Sequence, residues 1–285
     1  MRVNVISLFR DSEPYLRRTF GNIEALERRH DIACFFYEND SVDRTPELLR
    51  RWMEGRAGTV ICETLGARKF GQTMEPERVQ AMARYRNTIL AEAVRVASDW
   101  TLLLDSDVDF PPDLIEQYLQ VDEPGVAMFT PWIELDRACQ MCEPPCHRPA
   151  YYDTFALRDR SDRRGVILSC NPFWDRDDRH AWARGRPVEV HCAFGGAALI
   201  RSGVLGRCRW HSDGDCEHVA FAEQVRAIGR ILAVPTVKAS THAGDGFTRP
   251  ETFAMQRQLL DSPLLLRFWT ERNRGRLPFD AAQPS

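Results

Sequence analysis

The apolar positions of this chain switch between two periods. VNVISLF (residues 3–9) is a short, nearly continuous apolar run that predicts a buried strand, whereas PYLRRTFGNIEALERR (14–29) spaces its apolar residues as a helix does. DIACFFYE (31–38) predicts a second strand, TPELLRRWME (45–54) a helix with Thr45 as cap and Pro46 at its first position, and GTVICETL (58–65) a third strand. The longest helical pattern covers residues 75–97 and leads into the strand WTLLLD (100–105). Strand and helix thus alternate over about the first 110 residues, the pattern of a doubly wound α/β sheet that binds ligands at the carboxyl ends of its strands.

The second half is less regular. GVAMFTPW (125–132) predicts a strand, but residues 134–187 are rich in Arg, Asp, Pro and Cys without a sustained period and read as an irregular insert. Within it FWDRDDRHAW (173–182) reads either as a lid with aromatic anchors or as a charged loop. Order returns with VEVHCAFGGAALIRS (188–202), a helix over 216–229, and two strands, RILAV (230–234) and TVKAST (236–241). The expectation is one α/β domain over 1–245, followed over 246–285 by one apolar helical stretch (253–269) and a polar, frayed tail.

Composition narrows the function. The 285 residues are 44% hydrophobic and 28% charged, enough for a full core. A net charge of −3 with a pI near 6.2 lacks the basic footprint of a nucleic-acid binder. The first residues do not resemble a signal peptide, and nine cysteines in a chain of this size suggest reduced thiols, so the expected location is cytoplasmic. No apolar run is long enough to span a membrane, which leaves only peripheral membrane contact open.

Four constellations carry chemistry. Asp105, Asp107 and Asp109 follow an apolar strand directly, where mutual repulsion calls for a cation; Mg²⁺ or Mn²⁺ takes one or two such carboxylates and completes its shell with water and phosphate oxygens. The competing reading is an Asp-rich turn in which Asp109 caps a helix starting at Pro111 and Pro112. YENDSVDRTPELL (37–49) ends the second strand; its acidic and amide groups suit a nucleotide's base or ribose, while Ser41, Asp43 and Thr45 also suit a turn and cap. Arg84, Arg86 and Asn87 lie in the long helix, from which an arginine can reach a diphosphate or Asp105, or simply remain solvated. Asp215 and Glu217 stand at a helix N-terminus, suited to capping or to general-base work, and His242 follows a strand.

In this order the pieces resemble GT-A fold glycosyltransferases, and more closely the cryptococcal capsule-associated mannosyltransferase family, typified by an α-1,3-mannosyltransferase. The resemblance rests on YENDSVDRTPELL, RYRNTILAEA (84–93), DSDVDFPPDLI (105–115), YYDTFALRD (151–159), HCAFGGAALI (191–200) and RILAVPTVKAST (230–241). It implies a GT-A mixed sheet flanked by helices and an enzyme moving a sugar, mannose from GDP-mannose, onto a glycan or glycolipid hydroxyl with retention. Glu38, Asn39, Asp43 and Asp105 would bind donor, with Glu38 and Asn39 near the base; Arg86 would support the diphosphate; Asp105 and Asp107 would face the ribose, the diphosphate and Mn²⁺ or Mg²⁺, with His242 as a further metal ligand. Tyr151, Asp153 and Arg158 would line the acceptor side, with Tyr151 or Tyr152 as a stacking platform. In an inverting, UDP-sugar-dependent alternative, Asp215 or Glu217 would be the base.

Two other classes compete. A nucleotidyltransferase would need a Gly-rich, basic phosphate loop after the first strand, where SLFRDSEP stands. A non-catalytic sugar- or zinc-binding module would bind sugar without metal-dependent donor turnover. CQMCEPPCH puts Cys139, Cys142, Cys146 and His147 within nine residues, either a structural zinc knuckle steadying the insert or, the plainer reading, free thiols in a Pro-rich loop.

Overall fold

The computed structural model describes residues 1–70, 75–142, 144, 146–212, 215–241 and 250–272. In chain order the elements are β1 (Arg2–Phe9), α1 (Glu13–Glu27), β2 (Asp31–Asn39), α2 (Thr45–Met53), β3 (Gly58–Glu63), α3 (Pro76–Ala93), β4 (Trp100–Asp105), β5 (Val108–Asp109), α4 (Leu114–Leu119) and β6 (Val126–Ala138). They continue with β7 (Pro149–Tyr151), α5 (Arg176–Ala183), β8 (Val188–Val190), β9 (Ala197–Arg201), α6 (Ser202–Leu205), α7 (Glu217–Arg226), β10 (Arg230–Thr241), α8 (Pro250–Asp261) and α9 (Pro263–Arg272).

All the strands join one mixed sheet, in the order β3-β2-β1-β4-β9-β6-β10-β5, with β7 beside β6 and β8 beside β10. β1, β2, β3 and β4 are parallel. Their connections explain the layers: the steps from β1 to β2 to β3 run one way and leave α1 and α2 packed together, whereas the return from β3 past β1 to β4, which the right-handed rule for parallel crossovers sends over the opposite face, leaves α3 beside α7. With both faces covered, the central strands are mostly apolar, and Val3, Val5, Phe36, Leu102 and Leu104 are essentially sealed. Each such side chain contributes roughly 2 kcal/mol by leaving water. The one amide in β1, Asn4, donates to the carbonyls of Ala93 and Val96 at 3.0 Å and so closes the end of α3.

Three predicted elements differ in detail. The two strands expected over 230–241 are a single strand, β10, whose register against β6 shifts between Val234 and Lys238; Pro235, which has no N–H to give, lies within that irregularity. The single helical stretch expected over 253–269 is broken into α8 and α9 at Ser262–Pro263. The expected helix start at Pro111 moves to Leu114, and Asp109 belongs to β5.

The 134–187 region and the C-terminal helices meet in a second, small core of Val166, Trp174, Leu259 and Leu266. Gln256, fully buried, fastens them: its Oε1 accepts from the Ile167 N–H at 2.8 Å. No helix among the described residues is long and apolar enough to cross a membrane.

Candidate active site

The site begins where the parallel strands end. In register, Leu8 of β1 faces Asp105 of β4 on one side, and Phe9 faces Glu38 of β2 on the other, so three carboxyl ends finish level. The connections diverge between β1 and β4, the switch point at which open α/β sheets form their ligand crevice.

Beyond β4 the chain turns within Ser106–Asp107 and returns as β5, held by Ser106 Oγ on Ser12 Oγ at 3.1 Å and by Thr19 Oγ1 donating to the Ser106 carbonyl at 2.9 Å. The turn sorts the three aspartates. Asp105 and Asp107 line a cleft of about 260 Å³, whereas Asp109 points away and accepts from Asn22 Nδ2 at 2.8 Å. Thr241, at the end of β10, donates to Asp107 Oδ2 at 3.3 Å. Opposite, Gly195 and Gly196 have φ of 62° and 69°; a Cβ on Gly196 would stand 2.4 Å from Val108 Cγ2. That pair lets the backbone come close enough for the Gly196 carbonyl to accept from the Asp105 N–H at 2.8 Å and the Gly195 N–H to donate to Asp153 Oδ2 at 2.9 Å.

Arg86, on α3, enters from the other face of the sheet. Its Nη2 is 3.7 Å from Asp105 Oδ1, its Nε 3.5 Å from Glu217 Oε1, and its guanidinium lies 5.2 Å from the Phe194 ring centroid. The cleft's charged lining is Asp105, Asp107, Asp153 and Glu217 against Arg78 and Arg86. Fully ionised, four carboxylates against two guanidinium groups leave two negative charges. Burial, together with Asp107, Asp153 and Glu217, pushes Asp105 up to about 7 despite the pull of Arg86. Asp153 is also raised by burial, against the backbone N–H groups of Gly195 and Ala156 that favour its charge. His218, stacked on Phe194 at 4.1 Å, is held neutral by burial and by the nearby Arg86. A cleft whose carboxyl groups outnumber its guanidinium groups, and whose crowding disfavours ionisation until a cation is present, fits a hard divalent cation on Asp105 and Asp107.

The remaining candidates divide between cleft and support. Tyr152, Asp153 and Phe155 line the cleft; Tyr151 does not, being 2% exposed with its ring edge-on to Trp182. Arg158 is also buried, its guanidinium committed to the Phe155 and Leu157 carbonyls and, at 2.6 Å, to Asp215. Asp215 accepts further from Arg164 and its neighbour's N–H. Burial works against its charge, and Arg158 more than offsets it, holding the carboxyl below the usual range. Of the two acidic residues near the start of α7, only Glu217 lines the cleft.

At the end of β2, Glu38 Oε1 accepts from the Ser41 N–H at 2.9 Å, and Asn39 Nδ2 donates to Asp40 at 3.0 Å; both residues are 3% exposed. Asp43 accepts from the N–H groups of Thr45 and Glu13, tying the α2 turn to the start of α1. His242 lies outside the described residues.

Sequence reasoning passed over several residues. Arg78 lines the cleft two turns before Arg86; the 78, 82, 86 helical spacing was the available signal. Asp40, at φ 54°, receives the N–H groups of Leu65, Gly66 and Ala67 and shapes the loop after β3. Phe194 and His218, which wall in Arg86, carried no local signature.

Comparison with known proteins adds the family. No curated protein sequence matches the chain. Among solved structures, residues 1–349 of S. aureus TarS superpose with a TM-score of 0.51 at 12% identity, over 91% of this chain and 64% of that one. The present chain therefore spans a little under two thirds of that relative's length. The mannosyltransferase PcManGT from Pyrobaculum calidifontis, solved with GDP-Man and Mn²⁺, superposes with a TM-score of 0.51 at 17% identity, over 98% of this chain and 77% of that one. The sheet is thus that of GT-A glycosyltransferases. The model of the family described as cryptococcal mannosyltransferase 1 matches residues 11–227, most of the sheet and every described residue of the cleft except Thr241, and the chain belongs to that family.

Proposed function

We propose that the protein is a divalent-cation-dependent glycosyltransferase that moves mannose from GDP-mannose onto a hydroxyl of a glycan or glycolipid, with retention. The observation that carries this reading is the pair Asp105 and Asp107 in a cleft where four carboxyl groups face two guanidinium groups. Family membership supports mannose as the sugar, and the PcManGT complex supports GDP and Mn²⁺. Asp105 and Asp107 would hold the ion, which supplies charge neutralisation for the diphosphate. Glu38, Asn39 and Asp43 would bound the base and ribose by shaping the loop after β2, and His242 would be a further ligand.

The chain's own groups do the rest. Arg86, rigidly walled by Phe194 and held between two carboxylates, offers a fixed positive charge to the leaving group. Asp153 and Tyr152 border the acceptor side, and Arg158 acts indirectly by securing Asp215 and the backbone of that segment. With retention, the leaving phosphate takes the acceptor proton and no protein base is needed. Glu217 favours a second reading: it is the acidic residue of α7's first turn that reaches the cleft, so an inverting enzyme would have its base there.

The test is calorimetric titration of GDP, UDP and their sugars with and without Mn²⁺, on wild type and Asp107→Ala. Mn²⁺-dependent GDP binding that Asp107→Ala abolishes is expected. Folded protein that binds no nucleotide would overturn the reading.

A further inference from the structure

Four cysteine sulfurs converge outside the cleft. Cys139 stands just past the end of β6, Cys142 and Cys146 follow in the Pro-rich loop, and Cys170 comes from the turn preceding α5. Their Sγ atoms all lie within 4.8 Å of one another, with Cys139–Cys142 at 3.6 Å and both Cys142–Cys170 and Cys146–Cys170 at 3.7 Å. Sulfurs at the corners of a tetrahedron around Zn²⁺, with Zn–S bonds of about 2.3 Å, stand about 3.8 Å apart. The cluster therefore already has the dimensions of a mononuclear tetrathiolate site.

The donor set also corrects the sequence expectation. His147 is exposed, at φ 52°, and is not in the cluster; the fourth donor is Cys170, 24 residues beyond Cys146 and 9% exposed. Three donors crowded into one loop can close around an ion because the fourth comes from a separate segment. This is the longer separation that common zinc sites use and that CQMCEPPCH alone lacks.

We propose that Cys139, Cys142, Cys146 and Cys170 bind one structural Zn²⁺. All four are free thiols, and two disulfides would each need their sulfurs to contract to about 2.05 Å. A cubane iron–sulfur cluster spreads its thiolates around a core of several irons, whereas these sulfurs are almost in contact. Four protein ligands leave no open position, so the site holds structure and activates no water.

Its place explains what it would steady. The Cys139 N–H donates to the Arg148 carbonyl at 2.7 Å, the Gln140 N–H to Leu168 at 2.9 Å, and the Tyr151 N–H to Ser169 at 2.9 Å. An ion joining 139–146 to Cys170 would clamp the two stretches that carry Tyr152 and Asp153 into the cleft wall. The local hydrophobic cluster beside it is small, the circumstance in which a metal crosslink contributes most.

The test uses full-length protein purified without chelator. Elemental analysis is expected to find about one zinc per chain, and zinc K-edge absorption about four sulfur neighbours at 2.3 Å. Cys170→Ser should lower zinc content at least tenfold, while His147→Ala and Cys62→Ser retain it. Should Cys170→Ser fail to fold, the wild-type absorption spectrum decides alone. Nitrogen or oxygen neighbours in the spectrum, iron in place of zinc, a disulfide between any two of the four, or folded protein that takes up no Zn²⁺ when titrated would each overturn the assignment.

Discussion

Arg86 Nε lies 3.5 Å from Glu217 Oε1, joining two side chains 131 positions apart that are 8% and 3% exposed. A buried pair of this kind punishes removal of one partner, because the other charge is left without compensation. Arg86→Gln is expected to lower stability by about 3 kcal/mol and to weaken GDP binding at least tenfold, read by urea denaturation and calorimetry. Unchanged values for both would mean that the guanidinium neither balances Glu217 nor meets the diphosphate.

The two acidic residues at the start of α7 should separate on mutation. With retention, Glu217→Gln lowers turnover only about tenfold, through the loss of Arg86's partner, and NMR of the product shows the α-anomer. A fall of about 10³-fold with a β-linked product would identify Glu217 as a base and replace retention with inversion. Asp215→Asn, which strips Arg158 of its ion-pair partner, should lower the melting temperature more than turnover.

Cation affinity should depend on pH with a definite sign. Asp105 holds its proton to about pH 7, and that proton must leave before a cation binds. Mn²⁺ affinity is therefore expected to fall about tenfold per pH unit below 7 and to level off above 8, measured by Mn²⁺ paramagnetic resonance at pH 6, 7 and 8. A flat profile would remove Asp105 from the ligand set. Melting temperature is a poorer reporter: the stability from a neutral Asp105 is present at low pH and lost as pH rises toward 7, whereas that from buried neutral His218 is lost as pH falls through 6.5 and lower.

Gly196→Ala tests the backbone approach that seats Asp105. The new Cβ would stand 2.4 Å from Val108 Cγ2 at φ 69°, so a stability loss of about 2 kcal/mol is expected, with weakened Mn²⁺ binding in the protein that remains folded. Gly21→Ala, at an exposed interior position of α1 with nothing within 4 Å, is the control: it should leave Mn²⁺ binding unchanged and raise stability by about 0.5–1 kcal/mol, because alanine favours the helix.

The sequence alone determined the local order. Short apolar runs and period-3.6 patterns marked the first four strands and three helices, and the carboxylates of DSD at a strand end marked the cleft floor, because burial and helix formation act on neighbouring residues. Tertiary structure decided what depends on distant partners. Which aspartate leaves the cleft was set by Asn22, and which of the two acids around the start of α7 enters it by Arg158 capturing Asp215. Tyr151 and Tyr152 differ only in the direction their side chains take from the chain, which Trp182 reveals. The fourth sulfur was invisible for the same reason: Cys170 carries no local period, and only the path of the insert brings it to the other three.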